Sequence, residues 1–330
     1  MRLPLGQVMG LYCVEKTGTS ITIAWDAVKD ASGYEVMANG SWTKITGTTY
    51  TATGLTVNTT YTFIVRAVND DQVGLESDPL IVRTFIYNPQ TPYATWFYNQ
   101  AEEQMWLIDE LENILNIQGK SMNTIESRED FESVYALGLA NRRIEGKIPK
   151  AIGELYNLQY LYLGNNTLSG ALPGELYTLK NLVNLDLSQN RLTGAISEQI
   201  SELTKLRVLM LHQNQFVGPL PNALGSLVNL ENLDVASNQL TGGIPANIGN
   251  LTKLRFLSLA DNQFTGDLPE SFSALANLEV LVLSNNNFNA DMLMALSRSS
   301  KIRLLDLSNN QFTGDISAAI NRLISSLGDI

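Results

Sequence analysis

The chain has one histidine, His212, and it stands in company that could do chemistry. Ser188 precedes it by 24 residues, and Asp186 and Asp234 sit 24 residues to either side of Met210. A serine, a histidine and a carboxylate on neighbouring strands are the parts of a relay that activates a hydroxyl nucleophile. Such a relay also needs donors for a developing oxyanion and a site closed to water. Open strand positions supply neither. The single histidine and the single cysteine, Cys13, cannot fill the usual ligand set of a zinc site. No cofactor motif is present, so no cofactor and no enzymatic activity are expected. Binding is the function left to place.

The spacing of 24 is general. Leucine occupies Leu137, Leu161, Leu185, Leu209, Leu233, Leu257, Leu281 and Leu305, and two residues after each comes a second leucine, or Val235. Asparagine follows at Asn166, Asn190, Asn214, Asn238, Asn262, Asn286 and Asn310, with Arg142 as the departure in the first unit. Glycine recurs from Gly146 to Gly266 and again at Gly314, with Ala290 in the gap. Proline stands at Pro149, Pro173, Pro221, Pro245 and Pro269. A fixed period of this length identifies a solenoid of stacked coils. Leucines two apart point the same way from a short strand. The asparagine serves backbone groups where the chain leaves that strand. Glycine and proline turn the chain back. Ile152, Leu176, Ile200, Leu224, Ile248 and Phe272 complete the core on the return leg.

This arithmetic places the outward side chains of the strands on one concave face about 35–40 Å long. Tyr160 and Tyr162 come first, then Asp186, then Val208, Met210 and His212, then Asp234, then Phe256. Aromatic and apolar groups held on rigid strands are the usual makings of a binding hot spot. These eight residues are therefore the candidate ligand-binding site. The seventh unit, with Ala290 and Leu293 replacing glycine and proline, is expected to carry a short helix over Asp291–Arg298.

The segment before the repeats reads differently. Ser20–Trp25, Gly33–Met37 and Tyr61–Asn69 alternate polar and apolar residues, the period of antiparallel strands with one buried face. Residues 1–85 are expected to form a β-sandwich, and 86–98, with Pro89 and Pro92, an extended linker. A helix is expected over Asn99–Ile117, capped by Asn99, with Glu102 and Glu103 in its first turn and Met105, Ile108, Leu111 and Leu115 along one side. It would serve, within 99–133, as the N-terminal cap of a solenoid spanning 134–330.

Composition narrows the partner. The chain of 330 residues carries 33 acidic and 22 basic residues, a net charge of −11, with no sequential basic cluster. Such a chain is repelled by phosphate backbones, so no nucleic acid is expected. No run of about 18–20 apolar residues exists to insert into a membrane. Met1–Gly6 lacks the apolar core of an export signal.

Two resemblances sharpen these expectations. Trp25, Gly33-Tyr34-Glu35-Val36, and Leu55 followed by Tyr61 in the position of a tyrosine corner resemble a fibronectin type III domain. Units such as Leu240-Thr241-Gly242-Gly243-Ile244-Pro245 resemble the plant-type leucine-rich repeat, LxxLxLxxNxLxGxIP. The resemblance implies an all-β sandwich followed by a right-handed solenoid with parallel strands on its concave face. It also implies recognition of a protein or peptide outside the cell or at its surface, or of a glycan stacked on Tyr160 and Tyr162. The cap lacks the paired cysteines usual in plant members, which points to an exported bacterial protein. A structural spacer or assembly element of the cell surface is the alternative.

Overall fold

The computed structural model describes residues 4–38, 40–84, 90–101, 104–288, 296 and 301–311. The expected helix over Asp291–Arg298 falls outside them, apart from the buried Leu296. The chain divides into two compact units, one formed by 1–103 and 111–127, the other by 104–110 and 128–330.

The first unit begins with seven strands: β1 (Tyr12–Lys16), β2 (Ser20–Ala24), β3 (Gly33–Ala38), β4 (Ser41–Ile45), β5 (Thr49–Thr53), β6 (Thr60–Val68) and β7 (Leu80–Arg83). They form two antiparallel sheets, β1-β2-β5 and β4-β3-β6-β7. Alternation buries Ile21 and Ile23 from one sheet against Phe63, Val65 and Ala67 from the other. Trp25 meets Tyr34 edge to face at 5.5 Å. The Tyr61 hydroxyl accepts from the Thr56 N–H at 2.9 Å, so the expected tyrosine corner is present. Cys13 is half-buried against the same core.

After the sandwich Pro92 opens a helix rather than continuing an extended linker. Thr91 caps a helix, α1 (Pro92–Gln100), by accepting from the Ala94 N–H, with Pro92 at the first helical position. A capping threonine followed by proline is a stronger start than Asn99, which instead lies in the last turn of α1. The expected single helix is therefore two, the second being α2 (Met105–Ile117). Leu107, Ile108, Leu111 and Leu115 are fully buried along it, whereas Met105 is only partly so. Glu102 and Glu103 lie outside the described residues.

The second unit is the solenoid. Eight three-residue strands, from Ala136–Gly138 to Leu304–Asp306, stack in parallel and in register at every 24th residue. A second parallel sheet of seven short strands runs from Glu145–Gly146 to Asn287–Phe288. Return legs are single 3-10 turns such as Gly174–Thr178 and Asn222–Ser226, entered at the repeat's proline, or at Ser197. The inward leucines of the first seven strands, and the six return-leg residues named above, are buried, while Leu305 in the eighth is half-buried.

The asparagines hold coil to coil. Asn214 donates from Nδ2 to the carbonyls of Leu211 in its own coil, at 3.1 Å, and of Leu187 in the preceding one, at 2.9 Å. Its Oδ1 accepts from the Leu192 N–H at 3.0 Å. Asn190, Asn262 and Asn286 repeat the pattern. Immediately before each asparagine the chain takes a left-handed turn, with φ between 53° and 56° at Asn165, Gln189, Gln213, Ser237, Asp261, Asn285 and Asn309. That turn brings the amide over the core.

Two substitutions test these assignments. Asn214→Ala strands buried backbone groups in two coils and should cost about 1–3 kcal/mol in urea unfolding; a change within error would mean the ladder is dispensable. Tyr61→Phe should lower the stability of the sandwich by about 1 kcal/mol without altering the solenoid's circular dichroism.

Candidate functional site

Strand pairing fixes the concave face as a grid. Tyr160, Asn184, Val208, Asn232, Phe256 and Val280 form one row of directly paired positions. Tyr162, Asp186, Met210, Asp234, Ser258 and Val282 form the next. Leucines between the rows point into the core, so the expected outward residues share one face. Tyr160 is exposed, while Tyr162, Asp186, Val208, Met210, His212, Asp234 and Phe256 are half-buried by their neighbours. Held on stacked strands, they have little freedom left to lose on binding.

The face has two chemical regions. At one end the Tyr160 and Tyr162 rings stack with centroids 6.3 Å apart, and the Tyr162 hydroxyl accepts from Asn184 Nδ2 at 3.2 Å. Tyr135, half exposed, precedes its strand and begins the row that continues through Gln159 and Val183 to Arg207. Two coils further on is a polar centre. His212 Nδ1 lies 3.3 Å from Asp234 Oδ2, without the alignment of a hydrogen bond. Asp234 also accepts from the Ala236 N–H at 3.0 Å. Ser258, beside Asp234 on the next strand, hydrogen-bonds to it, a partner that the spacing alone did not single out.

The arrangement does not assemble a nucleophile. Ser188 is buried, and its Oγ donates to Asp186 Oδ1 at 2.6 Å rather than to the imidazole. Its N–H donates to the same oxygen at 3.0 Å. Asp306 and Ser308 repeat this arrangement five coils later, which marks it as a device that closes the strand end. Among the described residues no group of three or more His, Cys, Asp or Glu is placed to hold a metal ion. Nor is any helix among them long and apolar enough to cross a membrane.

Along the flank where the chain enters the concave strands lies a second ordered array. Arg207 donates to Glu231 Oε1 from Nε and Nη2, at 2.9 and 2.7 Å, and Arg255 meets Glu279 in the same way, at 2.9 and 2.5 Å. Two residues earlier, Lys205, Lys253 and Lys301 donate to Asn181, Asn229 and Asn277, each at 2.7 Å. Both rows alternate with a period of two coils. Cations 48 residues apart never form a run in the sequence, which is why no basic cluster is visible there.

Burial raises the Asp234 carboxyl above its ordinary range, opposed by the Ala236 N–H, the nearby His212 and Ser258. Between the ordinary and the raised value the folded chain holds a proton that the unfolded chain has released. This stabilises the fold at low pH and is lost as pH rises through the raised value. Asp234→Asn removes that titration. Its urea midpoint relative to the parent should therefore climb as pH rises above the ordinary carboxylate range; a flat or falling difference would contradict the assignment.

Comparison with known proteins agrees with this geometry. The pattern of a fibronectin type III domain matches residues 6–83, and that of a leucine-rich repeat region matches residues 114–329. A poly(3-hydroxybutyrate) depolymerase of Ralstonia pickettii is 44% identical over 141 residues, covering 42% of this chain and 29% of that protein. Among solved structures, a TDR receptor superposes with a TM-score of 0.57 at 31% identity, covering 59% of this chain and 34% of the receptor. The Arabidopsis receptor kinase HAESA, solved with the peptide hormone IDA and the co-receptor SERK1, gives 0.53 at 34% identity, covering 54% and 30%. A plant ice-binding protein gives 0.51 at 32% identity, covering 59% and 63%. The chain thus spans about a third of the receptors it resembles. With the repeat pattern matched over most of its length, the chain belongs to the leucine-rich-repeat family and carries a fibronectin type III domain ahead of its repeats.

Proposed function

We propose that this chain is a non-enzymatic recognition module of an exported protein, and that it binds an extended polypeptide along the concave face of its solenoid. The observation that carries this reading is the grid itself. Tyr160, Tyr162, Val208, Met210 and Phe256 offer apolar anchors on one rigid surface, and Asp186 and Asp234 lie between them. The partner this suits has a few apolar side chains and a lysine or arginine. The likeness to the receptor kinase HAESA, solved with a peptide hormone, supports a peptide-sized ligand.

Peptides selected from a random displayed library on the immobilised chain supply the test. Tyr162→Ala and Met210→Ala should each weaken the selected peptides by about tenfold or more, the size of a hot-spot loss. Gln199→Ala, on an exposed return leg, should leave them unchanged. Added salt should weaken binding modestly. If Gln199→Ala abolished binding while both concave changes were silent, the concave site would be refuted.

A second reading follows from the depolymerase: the chain as an accessory module of an enzyme that acts on an insoluble polymer. Co-sedimentation with poly(3-hydroxybutyrate) granules checks it. Depletion from the supernatant is expected if the reading holds, and full recovery in the supernatant rules it out.

A further inference from the structure

The flank of the solenoid carries charge of the opposite sign to the chain as a whole. From the fourth coil to the eighth, Lys205, Arg207, Lys253, Arg255, Lys301 and Arg303 are all exposed. Only Glu231 and Glu279 oppose them within the array. Nearby Glu202 is already engaged by Lys180 at 3.1 Å. The three lysines hydrogen-bond to neutral amides rather than to carboxylates. Arg303 makes no side-chain salt bridge within 4 Å among the described residues. The hydrogen bond from Arg255, with smaller attractions from Arg255, Arg303 and Lys301, holds the Glu279 carboxyl below its ordinary range. A chain of net charge −11 therefore concentrates cations in one row along the coils.

The line is also ordered. Backbone hydrogen bonds join Arg207, Glu231, Arg255, Glu279 and Arg303 in sequence, each N–H donating to the carbonyl of the residue one coil before. Each asparagine that receives a lysine is anchored in turn, donating from Nδ2 to the preceding coil: Asn181 to Tyr156, Asn229 to Thr204 and Asn277 to Thr252, at 2.8–2.9 Å. The lysine heads are thus aimed rather than left to wander. At the usual strand separation, cations two coils apart recur about every 9.6 Å.

From this we infer that the flank is a docking surface for a linear acidic polysaccharide lying along the solenoid axis, with the lysine–arginine pairs of every second coil meeting its anionic groups. A regular, sparse polyanion matches a regular, sparse row of cations, and about two sugar residues of a 1,4-linked uronan span one period of roughly 9.6 Å. Duplex nucleic acid carries a charge about every 1.7 Å and would be repelled by the acidic remainder of the chain. A peptide derives its affinity from apolar anchors in pockets, and the array is built of lysine, arginine, glutamate and asparagine.

The probe is a size series of mannuronate oligomers, titrated calorimetrically into the full chain at low salt, with neutral mannan oligomers of equal length beside it. The mannuronates should bind and the neutral oligomers should not. Affinity should rise until the oligomer reaches about five sugars, enough to span three cation pairs. The triple variant K205Q/K253Q/K301Q should lose about tenfold in affinity and flatten the dependence on salt, with its melting temperature unchanged. The double variant E231Q/E279Q should bind more tightly than the parent. Tyr162→Ala, on the concave face, should bind as the parent does. The inference is overturned if the triple variant binds like the parent, if neutral mannan binds equally well, or if Tyr162→Ala abolishes binding. It is also overturned if polyglutamate or duplex DNA of equal charge binds more tightly than the mannuronates.

Discussion

One side-chain amide, placed in every coil after the first, holds the solenoid in register. A coil of 24 residues with three-residue strands leaves most of its backbone outside any ladder, and where each strand ends the carbonyls and amides would face the core unpaired. The asparagine answers both needs at once, because it carries two donors and an acceptor on a short stem. Its Nδ2 reaches carbonyls of its own coil and of the one before, while its Oδ1 takes an N–H of the preceding coil. Losing the amide would leave buried polar groups in two coils rather than one, so the stability of neighbours is linked. The left-handed residue ahead of it belongs to the same device, since only that turn swings the amide inward.

The constraint has a functional side. Once register is fixed, every outward position of one coil lies beside its equivalent in the next. Chemistry is therefore written in rows: stacked tyrosines, a histidine beside an aspartate, lysines on asparagines, arginines on glutamates. Apart from the tyrosine pair, which shares one strand, these contacts join residues about one coil apart in sequence, yet none needs a loop to fold over it. A surface assembled this way is long and preorganised, and open to solvent. That suits extended partners and gives no enclosed site in which to shield a reaction from water.

What the sequence revealed followed this same logic. The inward leucines, the return-leg residues and the concave positions from Tyr160 to Phe256 follow from a period of 24, because geometry at one coil is geometry at all. The fibronectin landmarks were likewise legible, down to the Tyr61 hydroxyl on Thr56. The helical segment was less so. Apolar spacing located Ile108, Leu111 and Leu115 inside α2, but the start of α1 at Thr91-Pro92 rested on a capping contact that the two prolines disguised as an extended linker. The role of Ser188 was hidden for another reason: its partner is Asp186, two residues away in its own coil, and only coordinates separate that choice from a bond to His212. The flank cations escaped notice because their neighbours in space lie one and two periods apart.

The two-coil alternation on the flank carries a lesson about how such a chain can lengthen. Arg207, Glu231, Arg255, Glu279 and Arg303 succeed one another as plus and minus. Duplicating or deleting one coil within this stretch would break the parity, setting arginine against arginine or glutamate against glutamate. The hydrophobic core would accept either event, since every coil offers the same leucines. Adding or removing coils in pairs preserves both core and flank. For this part of the solenoid the flank repeats every 48 residues, though the unit of folding is 24.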